Sequence, residues 1–148
     1  MLNLAPGTTI VLPSPNGGTL SLANGVTPTF AGCLRNAQAV ARAAGQRGKR
    51  VSVIPAGERW PDHSLRPALE DQIGAGAIIH YLAGTRSPEA QAAEAVFMHF
   101  QANLQAVLMA CSSGKEAAQR GSRRDVELAA AFNISEAAPY LVNGAYQA

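Results

Sequence analysis

Aromatic residues are scarce in this chain, at 5% of 148 positions, which argues against a base-stacking platform for single-stranded nucleic acid. Charge is sparse too, with 15% Asp, Glu, Lys and Arg and a net charge of +2. The basic residues gather in short runs, Arg47, Lys49 and Arg50, then Arg120, Arg123 and Arg124. Runs of that length read as solvated surface and speak against a nucleic-acid partner. The two cysteines, Cys33 and Cys111, belong to no CxxC pair, so a disulfide framework is excluded and both read as reduced core residues. No apolar run approaches the ~20 residues of a membrane span, and Met1 to Gly7 lack the basic and apolar regions of a signal peptide. The expectation is a cytoplasmic protein with no membrane partner, folded as one domain over residues 1–148.

Familiar catalytic signatures are also missing. His63, His80 and His99 form no HExxH, which removes a common zinc site. Gly114-Lys115 is followed by Glu116 and lacks the upstream glycine of a GxxxxGK[ST] loop. There is no GxSxG elbow. Neither cysteine has an arginine six positions on, as a cysteine-phosphatase loop requires, and no GxGxxG follows a strand-like run. What remains is acid, arginine and glycine.

Short runs rich in β-branched residues at 8–12, 27–33 and 51–54 read as strands. Pro13 to Gly18 reads as a break, with a helical turn from Thr19 to Ala23. Leu34 to Ala44 reads as a helix, because Ala37, Val40, Ala41 and Ala44 recur at helical spacing. The order strand, loop, strand, helix, strand, helix predicts a mostly parallel sheet with right-handed crossovers. After residue 54 the pattern is helical. One helix is expected over 65–82, with Ser64 as its cap and Gly74 and Gly76 marking close backbone approach. Ser87-Pro88 opens the next helix, whose stripe runs through Ala93, Phe97, Phe100, Leu104, Leu108 and Cys111. Ser113 and Glu116 suit a capping box, and a last helix is expected from Asp125 to Phe132. The fold class is thus α/β, an α/β/α layered arrangement with a helix-rich C-terminal half. Three strands are few for so many helices, and a bare parallel sheet would leave apolar surface that a second copy could cover. A homodimer is one expected partner state.

The chemistry concentrates on the turns after these runs. Parallel strands would bring Ser14, Asn16, Gly17 and Gly18, then Arg35 and Asn36, then Glu58, Arg59 and Asp62 to one rim. Gly17-Gly18 can adopt positive φ and turn backbone N–H groups toward an anion. Four carboxylates, Glu58, Asp62, Glu70 and Asp71, fall within fourteen residues, interleaved with Arg59 and Arg66. Such a group repels itself unless a cation sits among it, and Mg²⁺ is typically held by one or two carboxylates plus waters and a phosphate. Glu70 and Asp71, being adjacent, would point about 100° apart on a helix. Arg59 and Arg66 suit bidentate capture of an anionic substrate, or pairing with those same acids.

Taken in order, Ser14-Pro-Asn-Gly17, Leu34-Arg-Asn-Ala37, Pro55-Ala-Gly-Glu-Arg-Trp60, Ser64-Leu-Arg-Pro-Ala-Leu-Glu-Asp71, Gly74-Ala-Gly-Ala77, Ser113-Gly-Lys-Glu116 and Asp125-Val-Glu127 resemble the 2-phosphosulfolactate phosphatase (ComB-like) family over nearly the whole chain. The resemblance implies an α/β/α fold and Mg²⁺-dependent hydrolysis of a small, anionic, phosphorylated substrate, 2-phosphosulfolactate giving sulfolactate. Read with the rim described above, the leading expectation gives catalytic roles to Glu58, Arg59 and Asp62. Substrate contacts would come from Ser14, Asn16, Gly17, Gly18, Arg35, Asn36 and Arg66, and metal ligands from among Glu58, Asp62, Glu70 and Asp71. Two departures stand out. Gly18 occupies a position where the family often has a hydroxyl residue, and the chain is expected to lack an N-terminal segment that supplies further strands. A non-catalytic anion-binding or assembly domain derived from this fold is the alternative expectation.

Overall fold

The computed structural model describes residues 5, 7–12 and 14–147. Its hub is α3 (Leu69–Tyr81), in which Ile73, Gly74, Ala75, Gly76, Ala77, Ile78 and Ile79 are all buried in succession. A helix buried all round must be packed on several sides. Here α2 (Ala37–Arg47) lies against it on one side and α4 (Pro88–Phe100) on another. Gly76 explains the closeness of α4, since a Cβ there would lie 2.1 Å from the Ala93 carbonyl oxygen and 2.8 Å from Phe97 Cβ. The expected glycine approach is therefore helix to helix. Ile73, Ala37, Ala77 and Phe97 are fully covered at this junction.

The ends of these helices follow local chemistry. Ser87 caps α4, its Oγ accepting from Ala90 N at 3.3 Å, with Pro88 in the first turn. The stripe expected to continue to Cys111 is broken. A 3₁₀ turn covers Gln101–Asn103, Asn103 leaves helical geometry at φ −134°, and α5 (Leu104–Ala110) follows. The expected start of α3 at residue 65 is also corrected. Leu65 and Arg66 are extended, and Ser64 spends its N–H and hydroxyl on Asp62 instead of capping a helix. Asp and Ser prefer such local turns, which compete with helix initiation.

Next come α6 (Ser112–Gln119) and α7 (Arg123–Ala129). The Ser113–Glu116 capping box does not form. Cys111 is the cap, its Sγ facing Gly114 N at 3.4 Å. Gly114 is required there, because a Cβ would fall on the Leu108 carbonyl oxygen. Asn133, at φ 48°, closes the far end by accepting from Gln38 N in the first turn of α2 at 3.0 Å.

The strands depart most from expectation. Among the described residues there is no parallel pairing. Residues 8–12 and 51–54 carry no regular secondary structure and belong to no ladder, and Val11, Leu12 and Ile54 are 88%, 76% and 60% exposed. Apolar β-branched runs favour extended backbone, yet a ladder needs a neighbour whose N–H and C=O groups face it. Within 27–33, only Phe30 makes a bridge, to Tyr140 and antiparallel. The ladders that do form are two small antiparallel hairpins. One pairs β1 (Glu58–Arg59) with β2 (Leu65–Arg66), and the other pairs β3 (Tyr140–Val142) with β4 (Ala145–Gln147). The second turns at Asn143-Gly144, both with positive φ (49° and 81°), the usual geometry of a two-residue hairpin loop. The molecule is thus a mixed α and β fold in which helices predominate and the sheets are small.

Candidate active site

The loop after residue 54 is shaped by two glycine-dependent features. Gly57 holds φ at 67°, and its N–H donates to Asp71 Oδ2 at 2.8 Å, tying the loop to the first turn of α3. β1 begins at the next residue, so Glu58 emerges at a fixed place. Its Oε2 accepts from Asn16 Nδ2 at 3.1 Å. Asn16 sits in α1 (Pro15–Leu22), which starts earlier than expected. Gly17 and Gly18 therefore lie in a helical turn, not at positive φ, and Gly18 N already donates to the Ser14 carbonyl at 2.9 Å. Ser14 precedes the helix without capping it through its side chain.

Between α1 and the hairpin lies a cleft of about 200 Å³, with Asn16, Thr19, Glu58 and Arg59 on its polar side and Leu20, Ile54 and Leu65 on its apolar side. A more open depression of about 390 Å³ near the start of α5 shares no residue with it. That depression brings Arg123 beside Asn103 and Gln105 but has no carboxylate, so it lacks the mixed chemistry of the first cleft.

The acids are distributed unequally. Burial pushes the Asp71 carboxyl above its ordinary value, and Glu70 and Glu58 push the same way, while the Gly57 N–H opposes them. Asp71 therefore senses both Glu70 and Glu58. Asp62 stands apart, exposed in the hairpin turn. Its Oδ1 accepts from Ser64 Oγ at 2.6 Å and Ser64 N at 3.0 Å, which holds it below the usual carboxylate range. Among the described residues no group of three or more His, Cys, Asp or Glu side chains is arranged around a common metal position. The four acids do not form one ready-made cage. Glu70 Oε2 faces the thiol of Cys111 at 3.6 Å, and burial raises that thiol above its ordinary range.

Of the arginines, Arg59 lines the cleft and donates through Nη1 to the His63 carbonyl at 2.8 Å. Arg66 is committed elsewhere. Its Nη1 and Nη2 reach Glu116 Oε1 and Oε2 at 2.9 and 3.3 Å, and its guanidinium lies 5.5 Å from the Trp60 ring centre. Glu116 pushes the Arg66 pKa further up, with smaller contributions from Glu58 and Glu70. Arg35 and Asn36 are not brought to the cleft. Arg35 donates to the Leu128 carbonyl of α7. Asn36 is buried, accepting from Cys33 N at 2.8 Å and donating to the Ala31 and Ala137 carbonyls. A rim expected from three segments is therefore built from two, because residues 27–36 turn into a 3₁₀ start of α2 instead of ending a parallel strand. Glu116, read from sequence only as a capping partner, was missed. No sequence signal pointed to it, because Lys115 and Arg120 offer nearer bases than Arg66, fifty residues earlier.

This cleft combines an amide donor, a carboxylate and a guanidinium beside a small apolar wall, the composition of a site for a small anionic molecule. A family model described as 2-phosphosulpholactate phosphatase matches residues 3–144, so the chain belongs to that family. The family is one of phosphatases, which supports enzyme status for the chain. No curated protein matches it. Among the described residues no helix is long and apolar enough to cross a membrane.

Proposed function

We propose that the chain hydrolyses a phosphate monoester on a small acidic molecule in a Mg²⁺-dependent reaction, in the family's terms 2-phosphosulfolactate to sulfolactate. One observation carries this reading: Asn16, Glu58 and Arg59 line the same small cleft. The donor chemistry also fits a hard cation. Glu58 and Glu70 both lie within electrostatic reach of Asp71, and the nearby Arg66 is engaged with Glu116. Magnesium needs only one or two carboxylates beside waters and phosphate, so one or two of Glu58, Glu70 and Asp71 would hold it, not all three as a cage. Bound there, it supplies positive charge to the phosphoryl oxygens.

The chain's own groups do the rest. Asn16 Nδ2, the amide that lines the cleft, presents a hydrogen-bond donor to a phosphoryl oxygen, while Ser14, Gly17 and Gly18 lie outside the cleft lining. Arg59 offsets their charge, which spreads over the equatorial oxygens in the transition state. Glu58 orients the attacking water. The water oxygen bonds to phosphorus as the ester P–O bond breaks, and the leaving oxygen takes up the proton the water gives away. The test is phosphate release from p-nitrophenyl phosphate with and without Mg²⁺. Turnover that requires the metal supports the reading, and folded protein without turnover contradicts it.

A second reading has its own observation. The exposed apolar residues Ile10, Val11, Leu12 and Ile54 lie on segments that belong to no ladder. A second copy could add strands to them, completing a mostly parallel, α/β/α layered sheet in an assembly domain. A stable dimer without phosphatase activity favours this reading over the first. The free Cys33 and Cys111 suit a reducing, cytoplasmic setting under either reading.

A further inference from the structure

We infer that Glu116 is a positioning residue for the cleft, acting on Glu58 through Arg66; the catalytic part of this inference rests on the function proposed above. The hairpin of β1 and β2 is short and its turn is exposed, so its place depends on how its roots are held. The first root is held by Gly57 N on Asp71 and by Asn16 on Glu58. The second is held by Arg66, whose largely covered side chain meets α6 through the two-pronged contact with Glu116. Arg66 is also the ladder partner of Glu58 across the hairpin.

A guanidinium gripped on both terminal nitrogens by a carboxylate is fixed in direction as well as distance. The ladder then passes that constraint to Glu58, whose carboxylate reaches Asn16 on α1. Glu116, Arg66, Glu58 and Asn16 thus form one line of contacts from α6 across the hairpin to α1. Cutting it at Glu116 leaves the cleft's residues in place chemically and loosens where Glu58 sits. The Trp60 ring stacks on the same guanidinium and is the chain's one tryptophan, so its emission reports on the anchor directly.

The experiment compares the wild-type chain with Glu116→Gln, Arg66→Lys and the charge swap Arg66→Glu/Glu116→Arg. Acrylamide quenching of Trp60, far-ultraviolet circular dichroism and steady-state kinetics on p-nitrophenyl phosphate are measured for each. Glu116→Gln keeps the fold and makes Trp60 about twofold more quenchable, while kcat falls about tenfold and KM stays within about twofold. The swap recovers part of both losses, because the two side chains can still meet. Unchanged quenching in Glu116→Gln overturns the inference, and so does a loss confined to KM. If the wild-type chain shows no turnover, the proposed activity fails, while the quenching comparison still decides whether Glu116 holds the hairpin.

Discussion

Two glycines on one helix, two positions apart, should respond to alanine with opposite signs. Gly74 and Gly76 are both buried in α3. At Gly74 an added Cβ meets nothing within 4 Å, whereas at Gly76 it falls 2.1 Å from the Ala93 carbonyl oxygen of α4. Replacing a helical glycine by alanine is worth about 0.8–1.0 kcal/mol where nothing obstructs it. Gly74→Ala should gain about that much, which for a chain of this size raises Tm by about 2–4 °C. At Gly76 the contact is with backbone, so no flexible side chain can swing aside. The helices must separate at a junction where Ile73 and Phe97 are fully covered. Overpacking of this kind costs about 1–3 kcal/mol, occasionally more. Set against the helix-propensity gain, the net loss in Gly76→Ala spans about 0–2 kcal/mol, and a backbone contact that cannot swing aside places it toward the upper end. Thermal unfolding followed by circular dichroism measures both variants against wild type. If Gly76→Ala proves as stable as Gly74→Ala, the α3–α4 packing described here is wrong.

Other outcomes follow from single contacts. Ser87→Ala removes the cap on α4 and should cost about 1 kcal/mol, read from the same melts. Asp71 gives a pH signature. Its carboxyl is raised above the ordinary 3.8 by burial and then by Glu70 and Glu58, so between 3.8 and the folded value the native state holds more protons than the unfolded one. Stability therefore falls as pH rises through that window, and the penalty persists at neutral pH. Asp71→Asn keeps an acceptor for Gly57 N and escapes the penalty, so its Tm relative to wild type should climb from acid to neutral pH. A difference that does not change with pH would contradict this.

What could be read from the sequence was local. Ser87-Pro88 marked the start of α4 because both residues act within one turn, and of the glycine pair in α3 Gly76 did announce a close neighbour while Gly74 did not. Asn16 and Glu58 do share a cleft. The sheet was not legible, because residues 8–12 and 51–54 carry strand composition but pairing depends on a distant neighbour. Ser64 was open to two uses, and Asp62 two residues earlier claimed its hydroxyl. Asn36 sat beside Arg35 in a polar pair that reads as a site, yet its amide is consumed by the Ala31 and Ala137 carbonyls, the latter about a hundred residues away. The Asn143-Gly144 turn was a clear hairpin signal in a tail that otherwise offered none. Glu116 required knowledge of where Arg66 points, which spacing alone does not contain.

Whether this cleft performs phosphoryl chemistry turns on Glu58, the carboxylate that α1 and the hairpin jointly present. The most direct measurement is phosphate release from p-nitrophenyl phosphate in Mg²⁺ by wild type and Glu58→Gln, with circular dichroism confirming that both are folded. Wild type should release phosphate, and the variant should lose about 10²-fold or more in kcat. Equal rates in the two proteins would contradict this expectation.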